Sequence, residues 1–449
     1  EGDIDNRTGG GQDPENMQMG SRIHRKIQRQ MGSDYQAEVP LKTEIVCDGF
    51  TLKIEGRADG LIHTKEQVMV DEIKGVLREL DRVQEPAGIH LAQAKCYASM
   101  VAEQEGVDEI GVQMTYCQME TEEVKRFQYS YQSNELKVWF DEVIRQYKKW
   151  AKFQIEWRKA RNASIKGIEF PFPYRKGQRE LAVSVYRTIL RNKKLFIQAP
   201  TGVGKTISTV FPAVKAVGEE LGEKIFYLTA KTITRTVAEQ AFETLREQNL
   251  KFKVITLTAK EKICFCEETS CNPDDCPYAK GHFDRVNDAV YELLMQEDVM
   301  SREVLEAQAR KHKVCPFEMA LDVSTWVDGV ICDYNYVFDP DARLRRFFAE
   351  GGAGGYLFLI DEAHNLVERG RQMYSAELCK EDFLAVKKLV KGEAPRFAKR
   401  LEACNKILLA MKKECENYKV LDNISHFGIQ LMNVLSETCL LYTSDAADE

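Results

Sequence analysis

The feature that most limits what this chain can fold into is the order of two phosphate-site motifs and a set of cysteines. A glycine-rich loop comes first, Ala199-Pro-Thr-Gly-Val-Gly-Lys-Thr206, and an acidic segment comes last, Asp361-Glu-Ala-His364. The cysteines between them are Cys264, Cys271, Cys276 and Cys315. This order predicts a nucleotide-binding lobe that carries a metal-binding insertion.

The glycine-rich loop is expected to follow a strand at residues 195–198 and to open a helix. Glycines there allow backbone N–H groups to approach phosphates, and the helix N-terminus favours an anion. Lys205 is expected to reach the β- and γ-phosphates of ATP, and the Thr206 hydroxyl to ligate Mg²⁺. The first position of the usual pattern is Ala199 instead of glycine. The predicted nucleotide contacts are Thr201, Gly202, Val203, Gly204, Lys205 and Thr206.

The acidic segment follows the apolar run 356–360, which is typical of a buried parallel strand. At the carboxyl end of that strand, Asp361 would hold the water shell of Mg²⁺ and Glu362 would polarise the attacking water. Thr229, Lys231 and Thr232 follow an earlier strand and are either phosphate contacts or solvated loop residues.

The cysteine spacing, C-x6-C-x4-C followed by a long gap, differs from the knuckle pairs of zinc modules. Four thiolates from irregular loops favour a 4Fe-4S cluster over zinc. Cys266 is a second candidate for the first ligand, for which Cys264 is preferred. The alternative is a set of free cysteines like those elsewhere in the chain.

A second constellation lies near the start of the chain. Asp59 precedes a strand that holds Glu72 and Lys74, whose side chains share one face because they are two residues apart. Two carboxylates beside a lysine can bind Mg²⁺ or Mn²⁺ and activate a hydrolytic water. Asp71 is an alternative ligand, although strand alternation turns it to the other face.

The predicted fold class is α/β, with a parallel RecA-like P-loop lobe; resemblances of the two parts of the chain to known families further imply a restriction-endonuclease-like amino-terminal domain and, in the P-loop lobe, iron–sulfur and partial helical arch insertions. The predicted domain boundaries are a disordered tail at 1–16, the first domain at 17–150, a linker helix at 151–170, the RecA-like lobe at 171–365 with its cysteine region at 260–320, the start of the arch at 366–438, and a tail at 439–449. That last tail looks like translated adapter sequence rather than a natural acidic tail.

Residues 171–438 resemble the DinG/XPD-type iron–sulfur DNA helicases, which carry a DEAH box. The resemblance implies movement in the 5′-to-3′ direction along single-stranded or forked DNA, driven by ATP, with a plausible role in DNA repair. It also implies that Gln178 reads adenine and that His364 couples the site to DNA or to the partner lobe. Tyr334 and Tyr336 are either a base-stacking surface or part of the core.

The first domain resembles the PD-(D/E)xK nucleases of RecB type. That resemblance implies that His24 is an extra metal ligand, and that Gln93 and Tyr97 belong to a Gln-x3-Tyr motif that contacts DNA. The helicase family's second motor lobe, with its arginine finger, is expected after residue 438. A chain without that lobe is expected to bind ATP weakly and to hydrolyse little of it.

The composition of the chain limits how it can bind DNA and where in the cell it is expected. The net charge is −7, so any DNA contact must come from local basic patches. No apolar run is long enough for a bilayer, and a monomeric, cytoplasmic protein is expected. The leading prediction is an ATP-dependent DNA helicase with an associated nuclease domain. The alternative is a nucleotide-gated, redox-sensing DNA-binding adaptor that neither unwinds nor cleaves.

Overall fold

The computed structural model describes residues 2–6, 14–65, 67–77, 79–119, 121–200, 202–230, 232–348 and 354–445. The chain divides into two compact units. The first consists of Glu1–Asp333 with Gly351–Asp361, and the second of Tyr334–Glu350 with Glu362–Glu449.

The amino-terminal part of the first unit is built on a five-stranded mixed sheet whose strands lie in sequence order. Its strands are β1 (Tyr35–Cys47), β2 (Phe50–His63), β3 (Val68–Val76), β4 (Glu109–Gln118) and β5 (Val124–Gln132). Strands β3 and β4 are parallel and the other pairs are antiparallel. Helix α1 (Pro14–Gln30) packs on β3, and α2 (Gly88–Glu105) connects β3 to β4 and packs on both.

The pattern of burial explains this sheet. Strand β4 is buried along nearly its whole length, as expected for an inner strand, whereas β5 alternates between exposed and half-buried residues. Alternating or apolar stretches of the sequence predict strands near 44–46, 51–58, 68–74 and 112–118 and a helix at 87–101. All of these are present within longer elements. The short turn at Gly49, whose φ of 84° favours glycine, joins the first two predicted strands into one hairpin.

A single long helix, α3 (Ser133–Gly167), belongs to both cores of the first unit. Its amino-terminal half contributes Phe140 to the core of the first sheet, and its last turns contribute Ile165 to the second core. Near its end, Trp157 Nε1 and Arg161 Nη1 each donate to the Asp328 carboxylate at 2.8 Å. The helix predicted as a linker is therefore packed along its length.

The remainder of the first unit contains a parallel five-stranded sheet in the order β10-β6-β9-β7-β8. Its strands are β6 (Lys224–Thr229), β7 (Val254–Thr256), β8 (Val299–Met300), β9 (Gly329–Asp333) and β10 (Tyr356–Ile360). Its helices are α4 (Gln178–Leu190), α5 (Lys205–Gly218), α6 (Thr232–Arg246), α7 (Lys260–Ile263), α8 (His282–Gln296), α9 (Arg302–His312) and α10 (Pro316–Trp326). The predicted α/β fold with a parallel sheet is confirmed.

One predicted strand is absent. Residues 195–198 have no regular structure, and Phe196 is 90% exposed. In the described part of the chain, β10 pairs with β6 on one side and with no strand on the other. A short apolar run becomes a buried strand only where neighbouring strands and helices cover it, and nothing in the described residues does so here.

The start of the chain also differs from the expectation of an unpacked tail at 1–16. Residues Gly2–Asn6 are hydrogen-bonded to the region of the cysteines, and α1 already begins at Pro14. The rest of that tail, 7–13, lies outside the described residues.

The second unit is helical. Its helices are α11 (Asn335–Phe338), α12 (Arg345–Phe348), α13 (Leu366–Met373), α14 (Lys380–Val390), α15 (Pro395–Lys413) and α16 (Ser425–Asp445). Phe383, Phe397 and Phe427 are buried in its small core. Its assignment as the start of an arch remains a prediction. Helix α16 extends into the segment 439–449, which was expected to be non-native. In the described ranges, no helix combines the length and apolarity required to cross a bilayer.

Candidate functional sites

The structure brings the four candidate residues of the first domain together. His24 Nδ1, on α1, lies 3.2 Å from Asp59 Oδ1, and the other oxygen of Asp59 accepts the backbone N–H of Ile73 at 2.8 Å. On β3, Lys74 Nζ lies 2.8 Å from Glu72 Oε1. Two strands and a helix therefore place an imidazole, two carboxylates and an ammonium in one site.

Asp71 faces away from this site, as strand alternation predicts. It is fully buried, and its carboxylate accepts from Thr115 Oγ1 at 2.6 Å, Gln113 Nε2 at 3.0 Å and Tyr35 Oη at 3.2 Å. Because these donors satisfy the carboxylate, Asp71 serves the core of the sheet instead of binding a metal.

Glu72 is the most perturbed acid of the site. It is 2% exposed, and its Oε2 is buried without a hydrogen-bond partner in the described structure. Burial, followed by the charge of Asp59, raises the pKa of Glu72 to about 7, with partial compensation from Lys74. A buried carboxylate oxygen without a donor is an unfavourable arrangement that a bound cation would relieve.

The pKa of His24 is also shifted by its surroundings. Burial alone would lower the pKa of His24, but the hydrogen bond and the charge of Asp59 raise it above its ordinary value. The donor set, with the unpartnered oxygen of Glu72, fits a divalent cation such as Mg²⁺ or Mn²⁺. Among the residues that the structure describes, no three His, Cys, Asp or Glu side chains are already gathered tightly enough to form a metal site. The ligands would therefore have to close around an ion.

Helix α2 supplies a further layer to the site. Lys74 Nζ donates to Gln93 Oε1 at 3.0 Å, and Gln93 Nε2 donates to Tyr97 Oη at 3.2 Å. The ring of Tyr97 lies so close to Gly56 of β2 that a Cβ there would fall 2.5 Å from it. Gln93 therefore contacts the lysine of the site, and Tyr97 contacts Gln93.

The raised pKa of Glu72 predicts pH-dependent metal binding. In the metal-free protein, protons on Glu72 and His24 compete with the cation, so apparent Mn²⁺ affinity should rise by up to about a hundredfold per pH unit while both are protonated and level off once both have lost their protons. Titration of the protein with Mn²⁺ at several pH values, with free Mn²⁺ measured by electron paramagnetic resonance, gives this affinity. The Glu72→Gln variant should bind more weakly and keep only the shallower dependence due to His24. An affinity that is constant below neutral pH would contradict the prediction.

The glycine-rich loop has the conformation that its glycines permit. Gly202 and Gly204 have φ values of 79° and 74°, and α5 begins directly after them at Lys205. Lys205 Nζ donates to the carbonyl of Ala199 at 3.4 Å, so the side chain folds back over the loop. Thr201 lies outside the described residues, and Val203 and Thr206 are half-buried.

Gln178 packs against this loop. It is 5% exposed, its Oε1 accepts the N–H of Arg175 at 3.0 Å, and a Cβ on Gly204 would fall 2.5 Å from its Nε2. Arg175 Nη1 also donates to the carbonyl of Gly202. The sequence pointed to Gln178 but not to Arg175, whose only signal was its place in the same short segment.

The acidic segment begins in the first unit and continues into the second. The N–H of Asp361 donates to the carbonyl of Leu228 at 3.0 Å, which extends the pairing of β10 with β6 by one residue. In the second unit, Glu362 has a positive φ of 49°, and its Oε2 lies 3.4 Å from His364 Nδ1.

The remaining candidates near the nucleotide and DNA sites are less accessible. Thr229 is 2% exposed and Tyr334 is fully buried, so Tyr334 fits the core alternative better than a stacking surface. Tyr336 is half-buried. Lys231 and the side chain of Thr232 lie outside what the structure describes.

The cysteines line one cavity. Its wall includes the four predicted ligands and also Cys266, whose Sγ lies 3.7 Å from Cys276 Sγ. Asn272 shapes the loop between Cys271 and Cys276 by accepting the N–H groups of the two aspartates that follow Pro273, each at 3.0 Å. Cys315 precedes α10, and its N–H donates to the buried His282 at 3.1 Å. The fold therefore brings Cys315 to the same cavity as the other cysteines, although it lies far from them in the sequence.

Without a metal, this cavity keeps its thiols protonated, so a metal would have to displace their protons. Burial raises the pKa of Cys315 to about 11, and burial together with Cys276 and Cys264 raises that of Cys266 to about 12. Burial alone would lower the pKa of Lys260, but a hydrogen bond with Cys271 raises it. The five sulfur donors suit an iron–sulfur or zinc centre by their chemistry, but no three of the described cysteines are gathered tightly enough to hold one as they stand, so the thiols would have to close around it.

The presence of Cys266 beside Cys264 allows a test of which of the two is the first ligand. We expect Cys264→Ser to remove most bound iron and Cys266→Ser to retain it, because Cys264 ends α7 with its N–H bonded to the Lys260 carbonyl and is held in place. Iron and acid-labile sulfide analysis of both variants, prepared in parallel, measures this. The reverse result would assign the ligand to Cys266, the thiol that already contacts Cys276.

Two family models match the chain. The DEAD/DEAH box helicase model matches residues 179–265, and the DEAD_2 model matches residues 229–383. These ranges include the glycine-rich loop, the cysteines and the acidic segment, so this part of the chain is similar to DEAD/DEAH box helicase domains. Both matches begin after residue 178, and neither covers the site of His24, Asp59, Glu72 and Lys74.

The chain is also similar to known helicases. "Regulator of telomere elongation helicase 1" of Homo sapiens is 21% identical over 267 residues, which cover 48% of this chain and 21% of that protein. The XPD helicase subunit of general transcription and DNA repair factor IIH from Dictyostelium discoideum is 20% identical over 226 residues, covering 44% of this chain and 29% of that protein. The chain therefore spans less than a third of the length of these curated relatives.

Two solved structures were also matched. One of an XPD helicase covers 59% of this chain and 48% of that chain at 17% identity, with a TM-score of 0.37. One of a truncated XPD covers 57% of this chain and 76% of that chain at 18% identity, also with a TM-score of 0.37.

Proposed function

We propose that this chain is part of an ATP-dependent, iron–sulfur DNA helicase that moves in the 5′-to-3′ direction and carries a metal-dependent nuclease domain, with a role in DNA repair. The helicase match across residues 179–383, which contains the glycine-rich loop, supports the motor assignment. The nuclease assignment depends on one observation: Glu72 has a buried Oε2 without a partner, while its Oε1 contacts Lys74.

The nucleotide site would work through the loop and the acidic strand end. Lys205 would neutralise the β- and γ-phosphates, while the N–H groups of the loop and the first turn of α5 bind their oxygens. Thr206 and Asp361, both in the first unit, would hold Mg²⁺. Gln178, packed against Gly204, would keep the loop in its binding conformation.

The first-domain site would cleave phosphodiester bonds by hydrolysis. A divalent metal held by His24, Asp59 and Glu72 would supply a Lewis acid and an activated water. The hydrogen bond from His24 orients one oxygen of Asp59, and the N–H of Ile73 fixes the other. Lys74, held by Glu72 and Gln93, is positioned to stabilise the negative charge that develops on the phosphate.

The proposed function is tested on one preparation with two assays. End-labelled single-stranded and forked DNA is incubated with Mn²⁺ or Mg²⁺, and ATP binding is titrated in the presence of Mg²⁺. Metal-dependent degradation together with ATP binding supports the proposal. Nucleotide and DNA binding without degradation under either metal would instead favour the adaptor function, and absence of ATP binding would remove the motor assignment.

A further inference from the structure

The first described residues, Gly2–Asn6, form a short strap across the cysteine region. Three backbone hydrogen bonds join the two: Ile4 N–H to Ala279 O (3.0 Å), Asn6 N–H to Cys271 O (3.1 Å) and Phe283 N–H to Gly2 O (3.0 Å). The strap therefore contacts the polypeptide on both sides of Cys276.

Side chains anchor the strap at the start of α8. Asp3 Oδ1 accepts the N–H of Gly281, which immediately precedes the helix. In return, the N–H of Gly2 donates to Asp284 Oδ1 at 2.8 Å. The Asp3 carboxylate lies where the helix dipole favours negative charge, so both electrostatics and hydrogen bonding hold the strap here.

The centre of the strap forms part of the cavity wall, while the cavity cysteines remain partly exposed. Ile4 is 9% exposed and lines the same cavity as Cys264, Cys266, Cys271, Cys276 and Cys315. Cys271 has a φ of 50°, a conformation that residues other than glycine rarely adopt and that needs support from its surroundings. The N–H of Asn6 provides such support by binding the Cys271 carbonyl.

We propose that the strap is a cover that limits access of water and solutes to the cysteine-lined cavity, with Ile4 as its seal. Its role in retaining an iron–sulfur cluster rests on the proposed function, whereas the cover itself is a property of the chain. The strap precedes α1, which carries His24.

The cover is tested first on cluster-free protein. Labelling by N-ethylmaleimide is followed by mass spectrometry at Cys271 and Cys276, with the exposed Cys379 as internal reference. Ile4→Ser should accelerate labelling of the cavity cysteines roughly tenfold relative to that reference, because loss of apolar burial raises the population of the open strap. Ile4→Val should remain close to wild type. The matched control is Val46→Ser, at a position that is 82% exposed, and it should have no effect.

The second measurement uses protein purified without oxygen. Iron transfer to a chelator should be several times faster from Ile4→Ser than from wild type or Val46→Ser. Equal labelling rates in Ile4→Ser and wild type would overturn the cover, whatever the metal content. Wild-type protein without iron, but with cysteines protected by Ile4, would overturn the cluster and leave the cover standing. An Ile4→Ser protein that loses its iron during purification, while Ile4→Val keeps it, supports the cover.

Discussion

Replacement of Glu72 by glutamine is expected to lower Mn²⁺-dependent degradation of end-labelled DNA by roughly a hundredfold or more. The substitution keeps the shape of the side chain and an acceptor for Lys74, but it removes the charge that a divalent cation requires. The raised pKa of Glu72, about 7, adds a second expectation. Because the folded pKa exceeds the ordinary value, the stability that this group contributes is lost as pH rises through about 7. Above that pH the metal-free variant should be no less stable than wild type.

This pairing of lost activity with retained stability distinguishes a functional acid from a structural one. Thermal unfolding of wild type and Glu72→Gln at about pH 8, without metal, supplies the comparison. Glu44→Gln is the matched control, since Glu44 lies on the same sheet in an exposed ion pair with Lys42. Lys74→Ala should also remove degradation. Degradation that persists in Glu72→Gln would show that the carboxylate is not a ligand, and a strong loss of stability would point to a structural role.

The orientation of Glu72, Lys74 and Asp71 could be predicted from the sequence because the rule behind it is local. Glu72 and Lys74 share a face through the two-residue repeat of a strand, and the same repeat turns Asp71 into the core. The contact between His24 and Asp59 joins residues far apart in the chain, so spacing alone could not predict it. Only the family resemblance pointed to that histidine.

Features that depend on distant partners were missed. Residues 195–198 have the composition of a strand, but they remain exposed because strand formation depends on neighbours that composition does not reveal. The polar segment Gly2–Asn6 was expected not to pack, yet its backbone finds partners near Cys276. Backbone hydrogen bonds of this kind leave no mark in the side-chain pattern.

Buried charges were the least predictable. Lys224 begins β6 and is almost fully buried, with its Nζ donating to the carbonyl of Ser324 at 2.9 Å. Burial lowers the pKa of Lys224 to about 8, with partial compensation from Asp328. In the sequence, Lys224 looks like any charged residue at the start of a strand. Its burial is explained only by the fold, which places the carbonyl groups at the end of α10 next to its ammonium group.

Replacement of Lys205 by alanine is expected to weaken ATP binding in the presence of Mg²⁺ by about a hundredfold. Lys205 begins α5, directly after the positive-φ Gly204, and its ammonium lies over the loop at Ala199. Its removal takes away the charge closest to the expected β- and γ-phosphates, while the loop and helix keep their own N–H groups. Titration with a fluorescent ATP analogue, extended to millimolar concentrations, measures the change.

The control is Lys194→Ala, an exposed lysine eleven positions earlier, which should bind ATP like wild type. The site of His24, Asp59, Glu72 and Lys74 is built from other elements than the glycine-rich loop. Lys205→Ala should therefore degrade DNA at the wild-type rate, and Glu72→Gln should bind ATP normally. If both variants behave in this way, the nucleotide site and the metal site act independently in one chain. If Lys205→Ala bound ATP as tightly as wild type, the loop would not be the phosphate site. If it also lost DNA degradation while remaining folded, the two sites would be coupled, and the nuclease assignment would have to include the nucleotide.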